Sequence, residues 1–174
     1  MKPPRRKSLH VGIFGPGLSG KTTLAKYLSR RYWARNGIKS IVLDIHREDW
    51  GPQAWVTDSE RDFLRMVAME TGCAVWVEEA SQTIKRDKTK GHLFTSIRHR
   101  GHRMHVVGHS GASLLPEMRE QLQTLFLFRQ SPEALDYWVN LLSDKRIYTA
   151  AQLSQYQFLW CRLYYDPQAH ILTM

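Results

Sequence analysis

The octet Gly15-Pro16-Gly17-Leu18-Ser19-Gly20-Lys21-Thr22 constrains this chain more than any other stretch. It has the spacing G-x-x-x-x-G-K-[ST] and lies between an apolar run at 11–14 and an amphipathic helical pattern, so it reads as a phosphate-binding loop joining a strand to a helix. Its glycines let the backbone curl until successive N–H groups face inward, and the helix opening beyond Gly20 adds the positive end of its dipole. A triphosphate fits that concavity. Lys21 is placed to reach the β- and γ-phosphates and Thr22 to ligate Mg²⁺, while Gly15, Pro16, Gly17, Leu18, Ser19, Gly20 and Thr23 complete the expected nucleotide contacts.

The pattern around the octet sets the fold class. Strands are predicted at 9–14, 40–44, 73–77, 105–108 and 124–128, and the aromatic-rich 156–165 reads as one or two more. Helices are predicted at 22–36, with Leu24, Ala25, Tyr27, Leu28 and Tyr32 inward and Gly37 as the stop, and from a cap at Asp58 or Ser59 through 71. Further helices are predicted at 92–100, at 115–121, and after an N-cap at Ser131 with Pro132 at the first position. That last helix should turn Leu135, Trp138, Leu141 and Leu142 inward, and Thr149 to Gln152 reads as a capping box on a short turn. Strands alternating with helices imply an α/β fold: a single P-loop NTPase (RecA/ASCE-like) domain with a mainly parallel central sheet and helices on both faces. At 174 residues and 43% hydrophobic, the chain can bury one sizeable core and not two. We expect a basic mobile tail at 1–8 and one ATPase domain at 9–174.

Two further stretches carry chemistry. The strand 73–77 runs into Glu78-Glu79, where a phosphate-loop enzyme needs one carboxylate for Mg²⁺ and a hydrolytic one needs a second to polarise water. Glu78 is assigned to the metal and Glu79 to the water. A small-molecule kinase has no need of the second carboxylate. Downstream, Arg98, Arg100 and Arg103 are candidates for the cation that neutralises charge on the γ-phosphate, and His109, ending the next strand, is placed to sense that phosphate. His99, His102, His105 and His109 invite a zinc reading, but they straddle a helix end, a turn and a strand and should not converge.

The order GPGLSGKT, AVWVEEA, RHRG leading into HVVGHS, and LLPEMREQLQTLFLFR resembles the HerA/FtsK superfamily of DNA-pumping ATPases over roughly residues 9–165. Within it the chain is most similar to the genome-packaging ATPases of tailless, membrane-containing viruses and to the Zot-like ATPases of filamentous phages. The resemblance implies ATP and Mg²⁺ as cofactors, with Lys21 and Thr22 binding them, Glu78 supporting the metal and Glu79 activating water. His109 stands where the family usually has Gln, and Glu78 where it has Asp. Arg98 is the first choice for an arginine acting on a neighbour's site and Arg100 the second. A homo-oligomeric ring, hexamer or pentamer, around double-stranded DNA is also implied, with capsid-vertex or portal proteins as partners.

Charge agrees with such a partner. The chain carries 25 Lys and Arg against 16 Asp and Glu, a formal net charge of +9, which attracts polyanions. Lys85, Arg86, Lys88 and Lys90 lie just beyond the carboxylate pair and are expected to grip DNA phosphates without reading sequence. The two cysteines lack C-x-x-C spacing and read as buried free thiols. The chain shows no apolar run of 18 residues or secretory leader, so a cytoplasmic, host-cell location is expected, with possible association with the virion. Three other readings stay open: a nucleotide or metabolite kinase, a phage secretion ATPase, and a DNA-binding vertex protein whose site has decayed.

Overall fold

The computed structural model describes residues 10–80, 96–163 and 165–172. The described residues build one eight-stranded sheet ordered β3-β2-β4-β5-β1-β6-β7-β8, where β1 is His10–Phe14, β2 Ser40–Leu43, β3 Ala54–Thr57, β4 Ala74–Val77, β5 Arg103–Gly108, β6 Leu122–Phe128, β7 Gln157–Arg162 and β8 Tyr165–Ile171. The first six in that order pair in parallel; β7 and β8 are added antiparallel at one edge.

Alternation along the strands divides the apolar residues between two cores. On one face Val11, Ile13, Val42, Trp76, Val107, Phe126 and Phe128 pack with Leu24 and Ala25 of helix α1 (Lys21–Asn36). On the other, Phe14, Ile41, Val75, Val106, Leu125 and Leu127 pack with Phe63 and Val67 of α2 (Glu60–Met69) and Leu135 and Trp138 of α4 (Pro132–Leu142); between them in sequence α3 is a single turn, Pro116–Arg119. Helices thus lie on both faces of a mainly parallel sheet, as the alternating pattern implied.

Local signals behave as their chemistry requires. Gly37 closes α1 at φ 64°, Ser59 Oγ accepts from Asp62 N at the start of α2, and Ser131 Oγ accepts from Ala134 N ahead of Pro132. Four expectations are corrected. β3 was not expected: its four residues offer too short a run to stand out, and the strand exists because β2 offers a parallel edge. Tyr27, expected inward, is 49% exposed, because α1 meets the sheet through a narrow stripe centred on Leu24 and Ala25. The turn Lys145–Gln152 is capped by Asp144, whose carboxylate accepts from Arg146 N, while Thr149 Oγ1 donates back to the Arg146 carbonyl. The 92–100 helix, so far as it is described, narrows to a 3₁₀ turn at Ile97–Arg100. Cys73 and Cys161 are buried free thiols.

Candidate nucleotide site

The phosphate loop leaves the C-terminal end of β1, flanked by β5 and β6, and its first amide, Gly15 N, donates to the Gly108 carbonyl at 3.2 Å. A side chain at Gly15 would have its Cβ within 2.5 Å of Phe128 Cβ, so only glycine lets the loop start this close to β6. The loop then turns through two left-handed residues, Leu18 at φ 59° and Gly20 at φ 101°. Whereas α2 and α4 are each capped by a serine side chain, α1 begins at Gly20 with no side-chain cap and no acidic residue in its first turn. Its opening N–H groups are therefore left for an anion, and the positive helix terminus points the same way.

Lys21 is buried, and its ammonium donates to the Pro16 carbonyl at 2.7 Å, a carbonyl that also accepts from Ser19 Oγ at 2.9 Å. Burial lowers the Lys21 pKa from its ordinary value, and the carboxylates of Glu79 and Glu78 oppose that shift. Glu78 is 4% exposed, at the end of β4, with its amide bonded to the Leu43 carbonyl. Burial lifts its carboxyl to about 7, against hydrogen bonds from the Thr22 hydroxyl and the Glu79 amide, with Asp44 and Glu79 pushing it further up. The contact between Thr22 and Glu78 brings together the two hard-oxygen donors expected of a magnesium site. No group of three His, Cys, Asp or Glu side chains able to hold a metal occurs among the described residues. Magnesium does not require one, since it takes one or two protein oxygens and completes its octahedron with phosphates and water. A buried carboxyl held partly protonated is also what a cation would reverse, so these residues fit the ion.

Glu79 follows with φ 47°, a left-handed conformation that costs a non-glycine residue of order 1 kcal/mol and is concentrated at functional sites. The turn brings its Oε2 to 3.6 Å from His109 Nε2, the residue after β5. Glu79, His109 and Gly15 thus leave three consecutive strands of the sheet, β4, β5 and β1, at the same end. Asp44, at the end of β2, is instead consumed by its own loop: its carboxylate accepts from the amides of His46 and Glu48 and from the Trp50 indole.

Arg98 and Arg100 lie at the other end of the sheet. They precede β5, whose six residues span about 17–20 Å at the usual strand rise. The Arg98 Nε is 3.0 Å from His10 Nε2 and its Nη2 donates to the Gln121 carbonyl at 3.3 Å, whereas Arg100 is exposed. Neither approaches the phosphate loop of its own chain. His102, the residue before β5, and His105, on β5, are buried, and His99 and His109 lie exposed at opposite ends of that strand. Lys85, Arg86, Lys88 and Lys90 fall outside the described residues.

Sequence reading missed one wall of the site. In the turn before β7, Gln155 Nε2 donates to the Leu18 carbonyl at 3.2 Å, and a Cβ at Gly20 would come within 3.3 Å of Tyr156 and 3.1 Å of Leu172. Residues more than 130 positions downstream thus brace the loop, and no local pattern marks them.

No known family profile matches the chain, and no curated protein matches its sequence. Solved structures do match its fold. The genome packaging NTPase B204 of Sulfolobus turreted icosahedral virus 2 bound to AMPPCP superposes with a TM-score of 0.77 at 19% identity, over 95% of this chain and 98% of that one. With sulfate bound, the same protein gives 0.80 at 17% identity over 97% and 98%. The N-terminal domain of zonular occludens toxin from Neisseria meningitidis gives 0.60 at 14% identity over 97% and 95%. The chain has the P-loop NTPase fold of these two kinds of protein, the same two that its motifs resemble.

Proposed function

We propose that the chain hydrolyses ATP in a ring of identical subunits and uses the energy to drive double-stranded DNA into a viral shell. The observation that carries the chemistry is the meeting of Glu79, His109 and the phosphate loop at one end of β4, β5 and β1. In this reading the triphosphate lies on the loop amides and the uncapped start of α1, and Lys21 exchanges the Pro16 carbonyl for the β- and γ-phosphates. Thr22 and Glu78 would hold Mg²⁺, which would supply charge to neutralise the phosphates. Glu79 accepts a proton from the attacking water, and His109 orients the Glu79 carboxylate and meets the γ-phosphate side of the site. The cation missing from this end is supplied by an adjacent copy, with exposed Arg100 better placed than Arg98, which its own chain engages. Lys85, Arg86, Lys88 and Lys90 would grip DNA within the ring, and capsid-vertex proteins would anchor it, in the infected cell and then at the virion. The viral neighbour's described role in genome packaging supports the choice of work. Among the described residues no helix is long and apolar enough to cross a membrane.

The test is release of inorganic phosphate from ATP by the full chain, with and without linear duplex DNA. Glu79→Gln should abolish release while a fluorescent ATP analogue still binds. Formation of a phosphorylated metabolite without free phosphate would replace this reading with a kinase. Turnover equal to wild type in Glu79→Gln would remove Glu79 from its role.

A further inference from the structure

A second concentration of chemistry lies away from the nucleotide site. Among the described residues α1 is the helix packed on its face of the sheet, so beyond it the antiparallel addition β7–β8 is left partly uncovered. A cleft of about 320 Å³ opens there between the C-terminal half of α1 and the strands. Its floor is Val11 and Thr124, which are register partners, and Thr124 is in turn opposite Arg162 of β7. Four arginines from three elements border it: Arg31 and Arg35 one turn apart on α1, Arg103 at the start of β5, and Arg162. No carboxylate lines it.

The two arginines on the strands are held by rings. The Arg103 guanidinium lies 5.5 Å from the Tyr32 ring centre, and that of Arg162 lies 5.9 Å from Trp160 and 4.5 Å from Tyr165. Arg103 also hydrogen-bonds the Tyr32 hydroxyl, but a guanidinium carries five N–H donors, so one held beside a ring keeps donors for a second partner such as phosphate. Four like charges gathered around one cleft with no carboxylate among them repel each other, a cost that a bound polyanion removes. Arg103 and Arg162 stand three strand spacings apart, about 14 Å, which admits more than one phosphate of a backbone. Aromatic faces beside the cations add a surface on which bases or sugars pack.

We propose that this cleft binds the phosphate backbone of nucleic acid, as a contact separate from the nucleotide site. The proposal deepens the reading of a DNA-acting ATPase and rests on it for the choice of nucleic acid among polyanions. Contacts here are to phosphate, so binding is blind to sequence and steeply dependent on salt.

The experiment measures anisotropy of fluorescein-labelled 30-residue duplex and single-stranded DNA against full-length protein from 0.05 to 0.3 M salt. Arg31→Ala/Arg35→Ala and the triple variant with Arg162→Ala are compared with Arg61→Ala/Arg65→Ala, which removes the same charge from two exposed positions on α2. With a salt slope near 0.9 for each phosphate contact on duplex DNA, each cleft arginine removed should weaken binding roughly eightfold at 0.1 M salt and lower the slope by about one. The α2 variant should keep both. Phosphate release in the absence of DNA should be unchanged in the cleft variants, which shows that they fold. Equal losses in the cleft and α2 variants, or no loss in the cleft variants, would overturn the proposal. So would a wild type that binds phosphatidylserine vesicles through these arginines and does not bind DNA. Anisotropy needs no turnover, so a wild type that binds DNA through the cleft but releases no phosphate would sink the ATPase reading and leave this one standing.

Discussion

The two ends of the sheet are built from opposite materials. At the C-terminal ends of β1, β4 and β5 the useful groups are backbone amides and carboxylates: an uncapped helix start, Glu78 and Glu79. At the N-terminal edge they are guanidiniums held beside rings, Arg103 by Tyr32 and Arg162 by Trp160 and Tyr165. The difference follows from strand polarity. Parallel strands send their chain out at one end into loops that can curl around a ligand, which is where α/β sheets place their sites. The opposite end receives the chain from helices, so chemistry there depends on long side chains reaching in from several elements. The first arrangement is rigid and short-ranged and suits a reacting phosphate; the second is broad and suits a polymer.

The strongest way to separate the two ends is Glu79→Gln. Turnover should fall about 10²–10⁴-fold, the usual contribution of a positioned base, while DNA affinity stays within twofold of wild type. A parallel loss of DNA binding would mean the ends are not independent. Gly15→Ala strikes the same end through packing, since the added Cβ meets Phe128 at 2.5 Å. It should destabilise the fold by roughly 1–3 kcal/mol in urea melts and lower nucleotide affinity with it.

His105 tests the other end. It is fully buried, stacked on Trp76 at 3.9 Å, with its ring nitrogens 3.3 Å from the Val75 carbonyl and the Tyr32 hydroxyl that also meets Arg103. Burial holds its pKa well below the ordinary 6.5, with the nearby charge of Arg103 and His10 adding to the effect, while hydrogen bonds to backbone at Val75 and Arg103 oppose it. The unfolded chain therefore takes up a proton near pH 6.5 that the folded chain refuses. Stability owed to His105 is level above that pH and falls below it by up to about 1.4 kcal/mol per pH unit. Urea midpoints at pH 7.5 and 5.5 check this, and His105→Asn should flatten the difference. The smallest effect expected is that of Gln155→Ala, which removes one hydrogen bond to the Leu18 carbonyl. ATP should bind roughly threefold to tenfold more weakly, with DNA affinity unchanged.

Much of the candidate nucleotide site was legible because its parts are local. Gly15 to Thr22 carries its own turn chemistry, and Glu78-Glu79 was found by reading where an apolar run ends. Strand existence was legible for the same reason, except at β3, whose pairing with β2 supplies what four residues cannot, and at β8, Tyr165–Ile171, which lies almost wholly beyond the 156–165 run and forms by antiparallel pairing with β7. The exposure of Tyr27 was misread because periodicity gives a face and not the width of the surface that covers it. The position of Arg98 at the far end of β5, beside His10, depends on an 88-residue separation that no motif encodes.

By itself the sequence determined that a strand, a phosphate loop and a helix follow one another, that two carboxylates end a buried strand, and that the whole is strongly basic. Each of these rests on interactions between neighbours in the chain. Only the tertiary structure decided that β5 lies between β1 and β4 and so carries His109 to Glu79, that Gln155 braces Leu18, and that Arg31, Arg35, Arg103 and Arg162 share one cleft. The reason is strand order. Which strands become neighbours is set by burial summed over the whole sheet, and side chains far apart in sequence meet only as its consequence.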